Sequence, residues 1–253
     1  MNRVLKKNEY KCVELHEETD GSRYISKRYS GHPVESLTSN TEYIYAALQF
    51  FHERFNEILD CPRPYDVDLE AYQVQMEYLP NLPLASRLTF NNLYLANQFF
   101  HKCYAIREDF GFLRTIRNSV VSTPQIEVLL DNGFPLSLGL KGDLRENLCF
   151  GGNRLILADI DSIALEPLGL SELLFYIELY ASLKMLPKTL IQLLSPPIPI
   201  AFQYLDKAEA QQVTVAAQEI LTLKMANIAR PFRGIKHHVS QTCLNMTIEK
   251  YYR

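Results

Sequence analysis

L-K-G-D-L-R-E-N-L-C-F-G-G-N-R-L-I-L-A-D-I-D-S-I-A, Leu140 to Ala164, is the stretch on which the reading of this chain turns. It reads as a loop, a short apolar strand, a Gly-Gly turn at Gly151-Gly152, a second apolar strand and an acidic D-I-D. Asp143, Asn147 and Asp159 are three oxygen-bearing side chains on adjoining loops held by apolar strands. Magnesium prefers a few carboxylate or amide oxygens, completed by phosphate oxygens or water. Taken singly, each of the three is equally a turn or cap residue.

The surrounding chain has 253 residues, enough for one large domain or two small lobes. Its apolar content of 47% and charged content of 22% are those of a globular protein with a sizeable core. A net charge of −3 gives no reason to expect nucleic-acid binding. Cys12, Cys61, Cys103, Cys149 and Cys243 are scattered without a C-x-x-C pair, as free thiols in a reducing compartment would be. The N-terminal M-N-R-V-L-K-K-N-E-Y lacks the apolar core of a signal peptide, and no apolar run reaches membrane-span length. A cytoplasmic location is expected.

Upstream, Tyr10 to His16 and Tyr24 to Tyr29 alternate like strands, joined through Asp20-Gly21, a strong hairpin signal. Ile25, Lys27 and Tyr29 then share one face and Arg28 lies on the other. An apolar residue two places before a lysine suits a nucleotide, base against one and phosphate against the other. An outward, solvated lysine has the same pattern. Leu37 to Asp60 reads as a helix capped by Ser39 or Asn40, with Tyr43, Ala46, Ala47, Phe50, Phe51 and Ile58 as its apolar stripe. Glu42 in its first turn either complements the helix dipole or turns inward to pair with Lys27. Cys61 to Asp68 reads as a proline-punctuated connection, and Ala71 to Tyr78 as a strand running into L-P-N-L-P.

Downstream the chain is mainly helical: Leu82 to Arg107, Thr115 to Asn132 as a helix interrupted or started at Thr123-Pro124 with Pro124 suited to a first turn, a buried helix from Leu170 to Leu186, and Ala208 to Ile228. Ser195 to Pro199 breaks the helical pattern. The tail is basic, with Arg230, Arg233, Lys236, His237 and His238. It is either a solvated surface or a patch for an anionic substrate or a peripheral membrane contact.

In this order, a lysine hairpin, a glutamate helix, M-E-Y-L-P, helices, G-D-L-R-E-N-L-C-F and L-A-D-I-D-S-I-A resemble the kinase-like phosphotransferases. The resemblance is strongest to the aminoglycoside phosphotransferases, choline kinases and bacterial sugar or lipopolysaccharide kinases. It implies an α+β, two-lobed protein-kinase-like fold: a β-rich N-lobe over residues 1–80, a hinge near 76–81, and a helical C-lobe over 81–253. It implies ATP and Mg as cofactors and a small-molecule or glycan acceptor. Asp143 matches the catalytic base that takes the acceptor's hydroxyl proton. Asn147 and Asp159 match the metal ligands, with Asp161 a competing or second one. Lys27 resembles the phosphate-binding lysine and Glu42 its partner. Met76, Glu77, Tyr78 and Leu79 resemble the hinge that binds adenine. The chain departs from the family pattern in four places: Lys141 replaces the usual histidine, Asn147 comes one residue early, Lys6-Lys7-Asn8-Glu9 stands where a glycine-rich loop would lie, and Asp161 competes with Asp159. These departures leave a second reading open, a catalytically degenerate pseudokinase-like scaffold. The few residues between Asp161 and the next helix leave little room for the activation loop of a protein kinase.

Overall fold

The computed structural model describes residues 2–31, 34–79, 90–116, 122–139, 148–151, 154–157, 160–181, 197–226 and 241–251. The fold is α+β, with a β-rich N-terminal part and a mainly helical C-terminal part. It divides into two compact units. One comprises Met1–Pro83 with Cys149–Asp161, the other Leu84–Leu148 with Ser162–Arg253.

The first unit is built on a five-stranded antiparallel sheet in the order β1-β2-β3-β6-β5, from β1 (Asn2–Lys7), β2 (Lys11–Glu17), β3 (Arg23–Tyr29), β5 (Pro64–Asp68) and β6 (Gln73–Glu77). The Asp20-Gly21 turn closes β2 and β3 as the sequence predicts. Gly21 takes φ +84°, a region open to glycine at little cost, and the Asp20 carboxylate accepts from Ser22 N–H. Two strands go beyond the sequence reading. β1 is a largely exposed, polar edge strand. β5 forms the other edge, with Pro64 at its first position, where a missing N–H costs no ladder bond.

Helix α1 runs Val34–Phe55, so Ser39 and Asn40 lie inside it rather than at its cap. It stops short of Asp60 because Leu59–Asp60 is a strand, β4, pairing in parallel with β9 (Arg154–Leu157) beside β8 (Leu148–Gly151). The buried face of α1 is Leu37, Ile44, Ala47, Leu48, Phe51 and Phe55, whereas Ala46 is exposed. Arg154 ties these pieces together: its Nε lies 3.0 Å from Asp60 Oδ1 and its guanidinium donates to the carbonyls of Asn56 and Leu59. This pairing carries residues 149–161 into the first unit.

In the second unit, α2 (Phe90–Ala105), α3 (Pro124–Asp131) and α4 (Leu170–Ala181) pack against an antiparallel pair of β7 (Leu136–Gly139) and β10 (Ala164–Pro167), and α5 (Lys207–Ala226) packs against α3 and α4. Pro124 takes the first turn of α3, and Thr123 caps it by accepting from Ile126 N–H. Residues 170–180 are buried throughout, as an apolar run around a whole helix requires. The basic tail at 230–238 and the expected helical stretches 82–89 and 182–186 lie outside the described residues.

Glu172 in the first turn of α4 is 1% exposed. Its carboxylate accepts from Tyr104 OH at 2.7 Å, Ile200 N–H at 2.7 Å and Ala201 N–H at 3.1 Å, pinning the chain after the Pro-rich run to α4. Burial pushes its pKa up from the ordinary 4.5 to about 7, and the three donors restrain the rise. The folded state therefore holds more protons than the unfolded state between about pH 4.5 and 7. Stability is expected to fall as pH rises through that window, by about 3 kcal/mol at most. Glu172→Gln, which cannot ionise, should flatten that decline in thermal midpoints measured across the window. An unchanged slope would assign the decline to other groups.

Candidate functional site

The register of β2, β3 and β6 composes the site. Lys11 is opposite Tyr29, Val13 opposite Lys27 and Leu15 opposite Ile25. On the other side of β3, Lys27 is opposite Val74 and Ile25 opposite Met76. Directly opposed residues share a sheet face, so one face runs from apolar (Ile25, Val13, Met76, Val74) to polar (Lys27, Tyr29, Lys11). Arg28 is exposed on the opposite face, where it donates to Gln73 Oε1.

This face floors a cavity of about 210 Å³ lined by Leu5, Val13, Ile25, Met76 and Leu79, with Lys27 as its cation. Pro62, Glu77 and Tyr78 complete the rim, so all four hinge residues expected from the sequence border the same cavity. The end of β6 is anchored: Glu77 N–H donates to Arg63 O at 2.8 Å, and Arg63 N–H returns a bond to Glu77 Oε2 at 3.2 Å.

Lys27 is 7% exposed, which excludes the solvated-lysine alternative. Burying an ammonium demands a partner. Asp161, in the 3-10 turn Ile160–Ser162, supplies it: Lys27 Nζ lies 3.4 Å from Asp161 Oδ1. Lys11 Nζ donates to Asp161 Oδ2 at 2.7 Å, and Tyr29 OH to Oδ1 at 3.0 Å. Burial alone would raise the Asp161 pKa. The nearby ammoniums of Lys27 and Lys11, with the Lys11 and Tyr29 hydrogen bonds, outweigh it and hold the group at about 2. Asp161 is thus ionised at neutral pH.

The structure brings Lys27, Asp161 and Met76 to Leu79 into one unit. Glu42 is exposed on α1. Asp143, Asn147 and Asp159 lie outside the described residues. The roles of Lys11 and Tyr29 are additions to the sequence reading. The face of Tyr29 was legible from the two-residue period, but the convergence of both on Asp161 is a contact across more than 130 residues.

No protein-family model matches the sequence, and no curated protein matches it. Solved structures do. The chain is similar to an amicoumacin kinase in complex with AMP-PNP, Ca2+ and Ami, at TM-score 0.55 and 9% identity over 97% of this chain and 88% of that one. It is similar to choline kinase from Cryptosporidium parvum Iowa II, at TM-score 0.50 and 9% identity over 100% of this chain and 90% of that one. The chain shares the overall fold of these two kinase structures.

Asp161→Asn keeps the side chain's shape and removes its charge. The depressed pKa corresponds to about 2 kcal/mol at pH 7, at about 1.4 kcal/mol per pKa unit. The variant should lose that amount, seen as a thermal midpoint lower by roughly 4–8 °C. Because the folded-state pKa is lowered, the wild-type contribution is present above about pH 4 and vanishes as pH falls through about 2. Equal midpoints at pH 7 would contradict the pairing.

Proposed function

We propose that this protein is an ATP-dependent, magnesium-assisted phosphotransferase that acts on a hydroxyl of a small molecule or glycan. The observation that carries the reading is buried Lys27, paired with Asp161, at the polar end of an apolar cavity bordered by Met76 to Leu79. A flat apolar base with a polyanionic tail matches that polarity. The fold likeness supports it, since one of the similar structures is a kinase holding AMP-PNP.

In this reading the base lies against Ile25, Val13 and Met76, and Lys27 meets the phosphates. Asp161 is a hard, ionised oxygen donor of the kind magnesium takes, so the donor chemistry fits. Asn147 and Asp159 are the further ligands that the family resemblance implies. The bound ion would neutralise charge developing on the transferred phosphoryl group. Asp143 orients the acceptor hydroxyl and takes its proton while that oxygen bonds to phosphorus and the bond to the leaving diphosphate breaks. Positioning and fixed charge supply most of the rate.

ATP turnover with magnesium, measured against sugars, aminoglycosides and lipid-linked glycans, tests this. Asp143→Ala should cut kcat by roughly 10²- to 10⁴-fold, the usual contribution of a general base. Asp159→Ala should also depress turnover. Turnover untouched by both substitutions would overturn the assignment. No turnover, together with no nucleotide-dependent thermal stabilisation, would favour the scaffold reading.

A further inference from the structure

We propose that Lys11 is a second phosphate-binding residue for the nucleotide donor, and that the Tyr29 hydroxyl completes an anion cradle with Lys11 and Lys27. The proposal rests on the nucleotide site proposed above and names what replaces its missing glycine-rich loop.

Three observations carry it. The first is the turn between β1 and β2. A glycine-rich loop holds phosphate oxygens with backbone N–H groups. Here Asn8 N–H donates to Lys11 O at 3.0 Å, while Tyr10 N–H and Lys11 N–H donate to Asn8 Oδ1 at 2.9 and 2.8 Å. These amides are spent inside the turn.

The second is that the turn is fastened down. Ser30 N–H donates to Tyr10 O at 2.9 Å and Ser30 Oγ to Glu9 O at 3.0 Å. Gly31 sits under the turn at φ +74°, where a Cβ would lie 2.6 Å from Glu9 O. A turn held this way presents the Lys11 stem in one direction.

The third is where Lys11 points. Its side chain is 16% exposed and its ammonium lies on the carboxylate that also receives Lys27 and Tyr29. Three donors from two adjacent strands thus already converge on one oxyanion, Asp161. A phosphate presents the same kind of acceptor, with more oxygens and more charge. On the shared face Lys11 and Tyr29 stand one two-residue repeat beyond Lys27, about 6.8 Å further from the apolar floor. That places Lys27 nearer the base and Lys11 nearer the end of the polyphosphate tail.

Titration calorimetry with adenosine, AMP, ADP and ATP in the presence of magnesium tests the assignment. In the wild type, affinity should climb along the series. Lys11→Met should flatten its upper end, weakening ATP by roughly 10- to 100-fold, the worth of one hydrogen bond to a charged group, while leaving adenosine unchanged. A purely structural lysine would weaken both ligands alike. Tyr29→Phe should weaken ATP in the same selective manner by a smaller factor, and Lys11→Arg should keep the preference for ATP. If Lys11→Met fails to fold, Tyr29→Phe and Lys11→Arg carry the test. ATP bound as tightly by Lys11→Met (or, in its place, by Tyr29→Phe) as by the wild type, with Lys27→Met weakened, overturns the role of the cradle and leaves the nucleotide site standing. A wild type with no preference for ATP over adenosine overturns both.

Discussion

The carboxylate of Asp161 is the constraint on which the first unit depends. Two ammoniums and a phenol point at it from β2 and β3, and one of those ammoniums is almost wholly buried. An ammonium beside Val13, Ile25 and Met76 is costly to hold without an anion close by. The strand pair formed by β9 and β4, locked by Arg154 and Asp60, fixes the turn that delivers that anion. The chain thereby joins segments 134 and 150 residues apart at a single group.

The same group gives the site its chemical character. Two ammoniums and a phenol gathered on one carboxylate make this end of the face rich in donors for anionic oxygens. The cavity next to it is apolar on the floor and bordered by the backbone at the end of β6, so its two ends suit two different parts of one ligand. The asymmetry arises from sheet register alone, with every second residue of β2 and β3 contributing to the face. A one-residue slip would move Lys27 to the opposite face and put Arg28 or Ser26 in its place.

Local signals were the legible ones. Period-two alternation put Lys27 and Tyr29 on a common face, Asp20-Gly21 gave the hairpin, Pro124 gave the start of α3, and an all-round apolar run gave the buried α4. The motifs around Leu140 to Ala164 carried the family resemblance, and the fold agrees with it. Less legible were β1 and β5, since edge strands are short and polar and pair without an apolar stripe. The end of α1 at Phe55 was hidden because Ile58 and Leu59 continue its apolar rhythm, while Leu59 and Asp60 pair with a strand nearly a hundred residues away. The motif favoured Asp159 as the metal ligand, with Asp161 a competing or second one; the contact of Asp161 with Lys27 is one that only folding reveals. Lys11 carries no motif at all; its place is set by a turn and a distant acid.

A crystal structure of the chain with AMP-PNP and magnesium examines the central claim directly. The account predicts the adenine against Ile25 and Met76, and phosphate oxygens within hydrogen-bond distance of Lys27 Nζ, with the ion on Asp161. A nucleotide bound elsewhere, with Lys27 still paired to Asp161 and the cavity beside Met76 empty, would contradict it.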